Sequence, residues 1–318
     1  MANFFDKTVV FTNDFPEIEK FTKDQLKVFW TADEIHVEKD VQDVLVNLTD
    51  AERHGVFTVL KLFTLYEQEA GAEYWNGRFK DTFQHHQLQT MAATFGMFEL
   101  AVHKPFYNKI NELLNAANPA FYTDYQTNPV LVNRMNAIDE YINNPYDALS
   151  LAAFSMVEGV ILYSSFAFLK HFQSLGKNKL TNIVRGINFS VRDENLHSMA
   201  GAYVYRHIRE LDDVSPIYEI AQQIYEHENQ IIDMIFEKGE IEGITATDLK
   251  LFVQSRIAIC LQNLWIDPKH WAVADGEFNP IANWFYTGIN NFQYNDFFSG
   301  QGREYTRDWK EQEFIWVK

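Results

Sequence analysis

Val191-Arg192-Asp193-Glu194-Asn195-Leu196-His197 is the stretch from which the rest of the chain can be read. Glu194 and His197 stand three residues apart, so on a helix they share one face and can meet the same ion. Leu180, Val184, Ile187, Val191 and Glu194 recur at steps of three and four, with Gly201 two turns further on, which turns that face toward the core. A carboxylate buried there is costly unless it is paired or bound to a metal. A single Glu-x-x-His is more often a buried ion pair than a metal site. The decision therefore rests on what the other helices carry.

A helix from about residue 50 to 75 places Glu67 on the apolar stripe of Val56, Leu60 and Phe63, with Glu69 turned away. A second, over about 86–114, has the stripe Leu88, Met91, Phe95, Glu99, Val102/His103 and Phe106. Pro105 falls inside it, removing one backbone hydrogen bond, so a kink or one-residue bulge is expected nearby. From 146 to about 175 the pattern is apolar on nearly every side, the mark of a central helix, with Glu158 in its middle and no Lys or Arg within one turn. The helix carrying Glu194 and His197 spans about 180–211. Two amphipathic helices follow, over about 217–238 and from the Thr245–Asp248 cap to 265.

Between these helices the reading is looser. Residues 1–25 are expected to form an extended arm with a short acidic segment, and Thr31 with Glu34 has capping-box spacing for a helix start. Residues 115–145 read as a connection with short helical pieces. Glu226, His227 and Glu228 are consecutive, point to different sides, and read as a solvated surface. After Asp267-Pro268 the periodicity dissolves. The expected organisation is one helical domain over 1–270 and a partly flexible tail over 271–318.

Bulk properties exclude several classes. The 318 residues are 47% apolar, with 27 Phe, enough for one large core. A formal net charge of −17 argues against a nucleic-acid surface, which needs clustered Lys and Arg. The single cysteine, Cys260, excludes an intrachain disulfide, fits a reducing compartment, and lies in an apolar helical run as a core residue. No run of 18 apolar residues offers a membrane span. The first residues lack the basic start and apolar stretch of a signal peptide. A cytoplasmic protein is expected.

Four helices thus each present a buried residue of ligand type: Glu67; Glu99 with His103; Glu158; Glu194 with His197. In ferritin-like dimetal carboxylate proteins, two helices give one Glu each and two others give Glu-x-x-His. Hard carboxylate oxygens with one imidazole per ion suit iron or manganese. The expected fold is all-α, a ferritin-like helical bundle with additional helices. The expected cofactor is a dinuclear centre, Fe/Fe, Mn/Fe or Mn/Mn.

Along nearly its full length the chain resembles the small, radical-generating subunit of class I ribonucleotide reductase. The resemblance is carried by Phe29-Trp30-Thr31-Ala32-Asp33-Glu34, by Met156-Val157-Glu158-Gly159-Val160 with Ser165-Phe166-Ala167, and by Arg192-Asp193-Glu194-Asn195-Leu196-His197. Asn279-Pro280-Ile281 and Asn295-Asp296-Phe297-Phe298 support it. It implies a dimetal-oxygen centre that oxidises a nearby tyrosine, a homodimer, and radical transfer to a separate large subunit that makes deoxyribonucleotides. By matching motif, Glu67, Glu158, Glu194 and His197 stand as metal ligands. Glu67 takes the place where most members have Asp. Trp30 and Asp193 match the radical-transfer relay.

The second helix departs from the family pattern, Glu-x-x-His with the radical tyrosine four residues further on. His103 and Tyr107 keep the second spacing, but Glu99 is four before His103, and Leu100 stands at the aligned position. Either a bulge near Pro105 swings Glu99 into place, or a bridging carboxylate is lost; Glu99 remains the only candidate. Tyr107 is the expected radical residue; a register following Glu99 would put Phe106 there. In the tail no tyrosine follows Tyr305, and the docking anchor is expected at Phe314-Ile315-Trp316, an aromatic cluster in an otherwise charged end.

Three rival readings use overlapping residues. A ferritin-like iron store or oxidase needs neither Trp30 nor a docking tail. A dimetal monooxygenase needs an open apolar pocket beside the ions. A metal-poor structural partner of the large subunit gains weight from Leu100.

Overall fold

The chain's first helix, α1 (Pro16–Lys27), opens with a proline, where the missing N–H costs least, and with Glu17 and Glu19 facing the positive end of the helix dipole. It buries Ile18, Phe21, Thr22 and Gln25, a one-sided stripe. This corrects the expected extended arm: half of the stripe is polar, so it does not read as apolar periodicity. The computed structural model describes residues 2–8, 10–210, 213–271 and 279–286. Among these no strand occurs, only one isolated bridge between Ile241 and Ile244.

The main helices follow in order: α2 (Asp50–Gln68), α3 (His86–Phe98), α4 (Lys104–Leu113), α5 (Pro119–Thr127), α6 (Pro129–Ile142), α7 (Asp147–Val160), α8 (Tyr163–Lys170), α9 (Thr181–Ile208), α10 (Ser215–Ile235) and α11 (Ala246–Asn263). Helix α2 starts in a capping box: the Glu52 N–H donates to Thr49 Oγ1 (3.2 Å) and the Thr49 N–H to Glu52 Oε2 (2.9 Å). The Thr245–Asp248 cap expected before α11 forms in the same way. Thr31 and Glu34, by contrast, bound only a 3-10 turn (Ala32–Glu34). The chain is drawn inward there by the buried Trp30 before it can extend a helix.

Two helices widen into π turns. Helix α2 continues as a π segment, Glu69–Phe79, and α3 joins α4 through a π turn, Glu99–His103. A π turn holds one residue more than the α-helix it interrupts. Pro105 lies in the first turn of α4, where its missing N–H is tolerated. The bulge expected near Pro105 is therefore present.

The continuous helix expected over 146–175 is instead broken. Helix α7 ends at Val160, Leu162 takes a left-handed φ of 74°, and α8 begins at Tyr163. A side chain at positive φ is disfavoured by roughly 1–2 kcal/mol. The break sets Ser164 on Glu228 and the Tyr163 ring under Arg256, whose guanidinium sits 3.9 Å from the ring centre. The stretch Asp147–Gln173 is long and apolar enough to cross a membrane by composition, but its apolar window is wholly buried in the fold.

Helix α9 lies against α7 more extensively than any other pair of elements. Its N-terminus is capped from a distance. Asp40 accepts from the Ile183 N–H (2.7 Å) and the Asn182 amide (2.8 Å), and Asp43 accepts from the Leu180 N–H (3.0 Å). Helix α10 buries Ile217, Ala221, Ile224, Glu228, Ile231 and Ile235, so Glu228 belongs to the core stripe. This overturns its reading as solvated surface. Its Oε2 accepts from Ser164 Oγ (2.6 Å) and its Oε1 lies 3.2 Å from Arg134 Nη2, a buried ion pair. Cys260 is buried, as expected of a core residue. Together α2, α3–α4, α7 and α9 form a ferritin-like bundle, with the remaining helices packed around it.

Candidate metal centre

Glu67 stands at the end of α2, just before its π segment; Glu99 and His103 bound the π turn; Glu158 lies in α7; Glu194 and His197 share one face of α9. All six are buried. Their ligand atoms form two groups, Glu67, Glu99, His103 and Glu194, and Glu99, Glu158, Glu194 and His197, each within 4.8 Å. Glu99 and Glu194 belong to both. The other four divide evenly, one carboxylate and one imidazole to each side.

The π turn puts Glu99 there. Its Oε2 lies 2.9 Å from His103 Nδ1 and its Oε1 2.7 Å from His197 Nδ1, so one carboxylate reaches both imidazoles. A straight helix with the same sequence would have presented Leu100 one residue later. Instead Leu100 and the Glu99 Cβ pack over Gly71 in the π segment of α2, where a Cβ would come 2.7 Å from Leu100 Cγ and 2.8 Å from Glu99 Cβ. Only glycine allows the two widened turns to touch. Gly159 does the same for α7, where a Cβ would stand 2.4 Å from Cys260 Sγ and 2.5 Å from Ser198 Oγ.

Both imidazoles turn Nδ1 inward. His103 Nδ1 also approaches Glu67 and Glu194, each at 3.4 Å. Both oxygens of Glu67 and of Glu194, Oε1 of Glu99 and Nδ1 of His197 are buried without a well-formed hydrogen bond. The 2.7 Å approach of His197 Nδ1 to Glu99 Oε1 is among these; a neutral imidazole whose Nε2–H faces the Gln25 amide oxygen would turn its Nδ1 lone pair to this side. Burial, then the neighbouring charge of Glu99, pushes Glu67 well above the usual carboxylate range. Burial and Glu194 do the same to Glu158, and burial with Glu99 raises Glu194 to about 8. Two divalent cations would balance the four carboxylates and occupy the convergent lone pairs, so the residues present fit a dinuclear centre.

The outward side of each ligand is held as well. His103 Nε2 faces Asp193 Oδ2 at 3.1 Å, and the same oxygen accepts from Trp30 Nε1 (2.8 Å). The Trp30 ring stacks on His103 with centres 5.8 Å apart. Burial works against the Asp193 carboxylate, yet the Arg192 guanidinium and His103 hold it below its usual value. His197 Nε2 meets the Gln25 amide oxygen (3.1 Å). Glu158 receives two donors, Trp75 Nε1 (2.7 Å) and Tyr66 O–H (3.1 Å).

Tyr107 is fully buried, its ring stacked on Phe63 (4.3 Å) and its hydroxyl donating to Ser190 Oγ (3.0 Å). Burial and the Glu67 charge keep its phenol protonated, with a pKa well above normal. Phe106 lies between Trp30 (5.4 Å) and the Tyr107 ring (5.0 Å), with its ring tip over Gly186. The nine residues singled out from sequence are thus gathered into one buried region. Gln25, Tyr66, Trp75 and Ser190 were missed; only Ser190 had a positional signal, one helical turn before Glu194. Tyr305, Trp309, Phe314-Ile315-Trp316 and Asn295-Asp296-Phe297-Phe298 lie outside the described residues.

Residues 7–279 match the family described as ribonucleotide reductase, small chain. A probable ribonucleoside-diphosphate reductase small subunit from Invertebrate iridescent virus 3 is 25% identical over 312 residues, covering 88% of this chain and 80% of that one. The fold overlays dimanganese(II)-NrdF from Streptococcus sanguinis with a TM-score of 0.77 at 21% identity, covering 90% of this chain and 100% of that one. It overlays the Rnr4 homodimer chain of Saccharomyces cerevisiae with a TM-score of 0.73 at 18% identity, covering 91% and 92%.

Proposed function

Because this chain belongs to the ribonucleotide reductase small-chain family, we propose that its six buried ligands hold a dinuclear iron or manganese centre and that Tyr107 carries the radical. The chain is the small subunit of a ribonucleoside-diphosphate reductase, and such subunits pair with a large one. The observation that carries the metal reading is the sharing of Glu99 and Glu194 between two otherwise separate ligand groups. It favours a complete centre over a metal-poor structural partner, since the carboxylate in doubt reaches both imidazoles.

In this reading Glu67 and His103 would hold one ion and Glu158 and His197 the other, with Glu99 and Glu194 within reach of both. When bound, a dinuclear iron or manganese centre reacts with dioxygen and supplies a one-electron oxidant. Tyr107, buried among Phe63 and Phe106, is shielded from reductants, and Ser190 fixes its hydroxyl. Asp193 accepts from Trp30 and braces His103, which makes an unbroken line of contacts from the indole to the cluster. Trp30 and Asp193 are the relay toward the large subunit. Docking there is assigned to the tail and its Phe314-Ile315-Trp316 cluster, and the working form to a homodimer. A cytoplasmic location suits a chain whose one cysteine is buried and free.

The test is metal analysis and electron paramagnetic resonance on protein loaded with Fe(II) or Mn(II) and exposed to oxygen. Two ions per chain and a tyrosyl signal that Tyr107→Phe abolishes are expected. Two ions with no tyrosyl signal would leave a dimetal oxidase or a metal-stored oxidant. No bound metal would return the chain to a structural role.

A further inference from the structure

The two halves of the cluster are braced differently. Behind His103 stands a carboxylate, Asp193, which makes that imidazole a stronger donor. Behind His197 stands a neutral amide, Gln25. Glu67 accepts no well-formed hydrogen bond on either oxygen, whereas Glu158 has both oxygens engaged by neutral donors, the Trp75 indole and the Tyr66 phenol. Each such bond draws charge away from the carboxylate it fixes. Trp75 also packs edge-on to the His197 ring (5.9 Å) and to Phe95 (5.0 Å), so the indole is locked in place beside both ligands of this half.

We propose that the two metal positions are unequal, the Glu158/His197 position being the weaker because a neutral amide rather than a carboxylate stands behind its imidazole, and that Trp75 and Tyr66 are the positioning residues that orient its carboxylate. Holding both oxygens of Glu158 fixes the direction in which its remaining lone pairs point. That orientation outweighs the charge withdrawn, because a buried carboxylate freed of one donor turns toward whatever partner is left. Loss of a group that orients a ligand typically lowers metal affinity about 10- to 100-fold. The effect is confined to one position, since neither Trp75 nor Tyr66 donates to a ligand of the other. This inference rests on the six residues being ligands to two ions.

Anaerobic Mn(II) titration followed by electron paramagnetic resonance and calorimetry tests it. The wild type should fill in two steps. Trp75→Phe should weaken only the second step, by about 10- to 100-fold, and Asp193→Asn only the first. Tyr66→Phe, which removes a single oxygen and should leave the packing intact, should act in the same direction as Trp75→Phe. The decisive comparison is a pair of backgrounds. With Glu67→Ala, Trp75→Phe should weaken the remaining ion; with Glu158→Ala it should have no further effect. Equal losses in both backgrounds, or wild-type isotherms for Trp75→Phe and Tyr66→Phe, would overturn the assignment. A wild-type chain that binds no pair of ions would instead overturn the metal reading itself.

Discussion

Glu99→Gln separates a shared ligand from an unshared one. The substitution keeps the shape of the side chain and removes its charge. Because Glu99 meets His103 on one side and His197 on the other, it should weaken both ion positions, whereas Glu67→Gln should weaken one. With free metal at a hundred times the dissociation constant, each filled position stabilises the fold by about 2.7 kcal/mol. Glu67→Gln should then forfeit about 3 kcal/mol of metal-dependent stability and Glu99→Gln about 5 kcal/mol. For a chain of this size that is a loss of about 5 °C against about 10 °C in the metal-induced rise of Tm. The assay is thermal unfolding of each variant with and without saturating Mn(II). Comparing the rise, rather than Tm itself, cancels whatever the substitution does to the metal-free fold. If Glu99→Gln loses no more than Glu67→Gln, the π turn does not deliver a bridging carboxylate and the sharing argument fails.

Tyr107→Phe should keep both ions by metal analysis while losing the tyrosyl signal and most nucleotide reduction with the large subunit; full activity would place the oxidising equivalent elsewhere. Glu228→Gln strands the buried Arg134 and should cost roughly 3–5 kcal/mol in urea unfolding, while the double replacement Arg134→Met with Glu228→Leu should be near neutral. Burial lowers Lys170 to about 7 in the fold, against 10.5 when unfolded. Between those values the unfolded chain binds more protons, so stability should rise with pH by at most about 1.4 kcal/mol per unit. Lys170→Met should lack that part of the rise in unfolding curves taken from pH 7 to 10; an identical slope would mean the amine is solvated.

What could be read from sequence follows from how each residue advertises itself. Glu67, Glu158 and Glu194 were legible because a carboxylate in an apolar stripe is anomalous whatever surrounds it. The π turn was half legible: Pro105 signalled an irregularity and Glu99 supplied the candidate, but which residue the wider turn would present depends on Gly71 across the interface, which sequence periodicity does not report. Glu228 was hidden by its charged neighbours, since Glu226-His227-Glu228 looks like surface until the helix phase is fixed by Ile224 and Ile231. Helix α1 was hidden by its own polar contact residues, Thr22 and Gln25. Trp75 and Tyr66 carried no signal at all, because an aromatic residue in a core helix is ordinary and only its partner makes it otherwise. Leu162 shows the opposite limit: its left-handed backbone is imposed by what Tyr163 and Ser164 reach on α11 and α10, far away in the chain.

The contact between the two widened turns bears on how such chains are found and compared. Glu99 works one residue out of step because α3 carries an extra residue in its π turn, and Leu100 fits because α2 offers glycine opposite. An insertion in one helix without a small residue in the other would drive Leu100 into the neighbouring backbone. The two changes should therefore have been gained, and can be lost, only together. A pattern keyed to Glu-x-x-His on this helix reads Leu100 where the ligand is expected, although Glu194-x-x-His197 on α9 still fits it. A pattern that allows one inserted residue, on condition that glycine stands four residues after the first ligand glutamate, recovers Glu99.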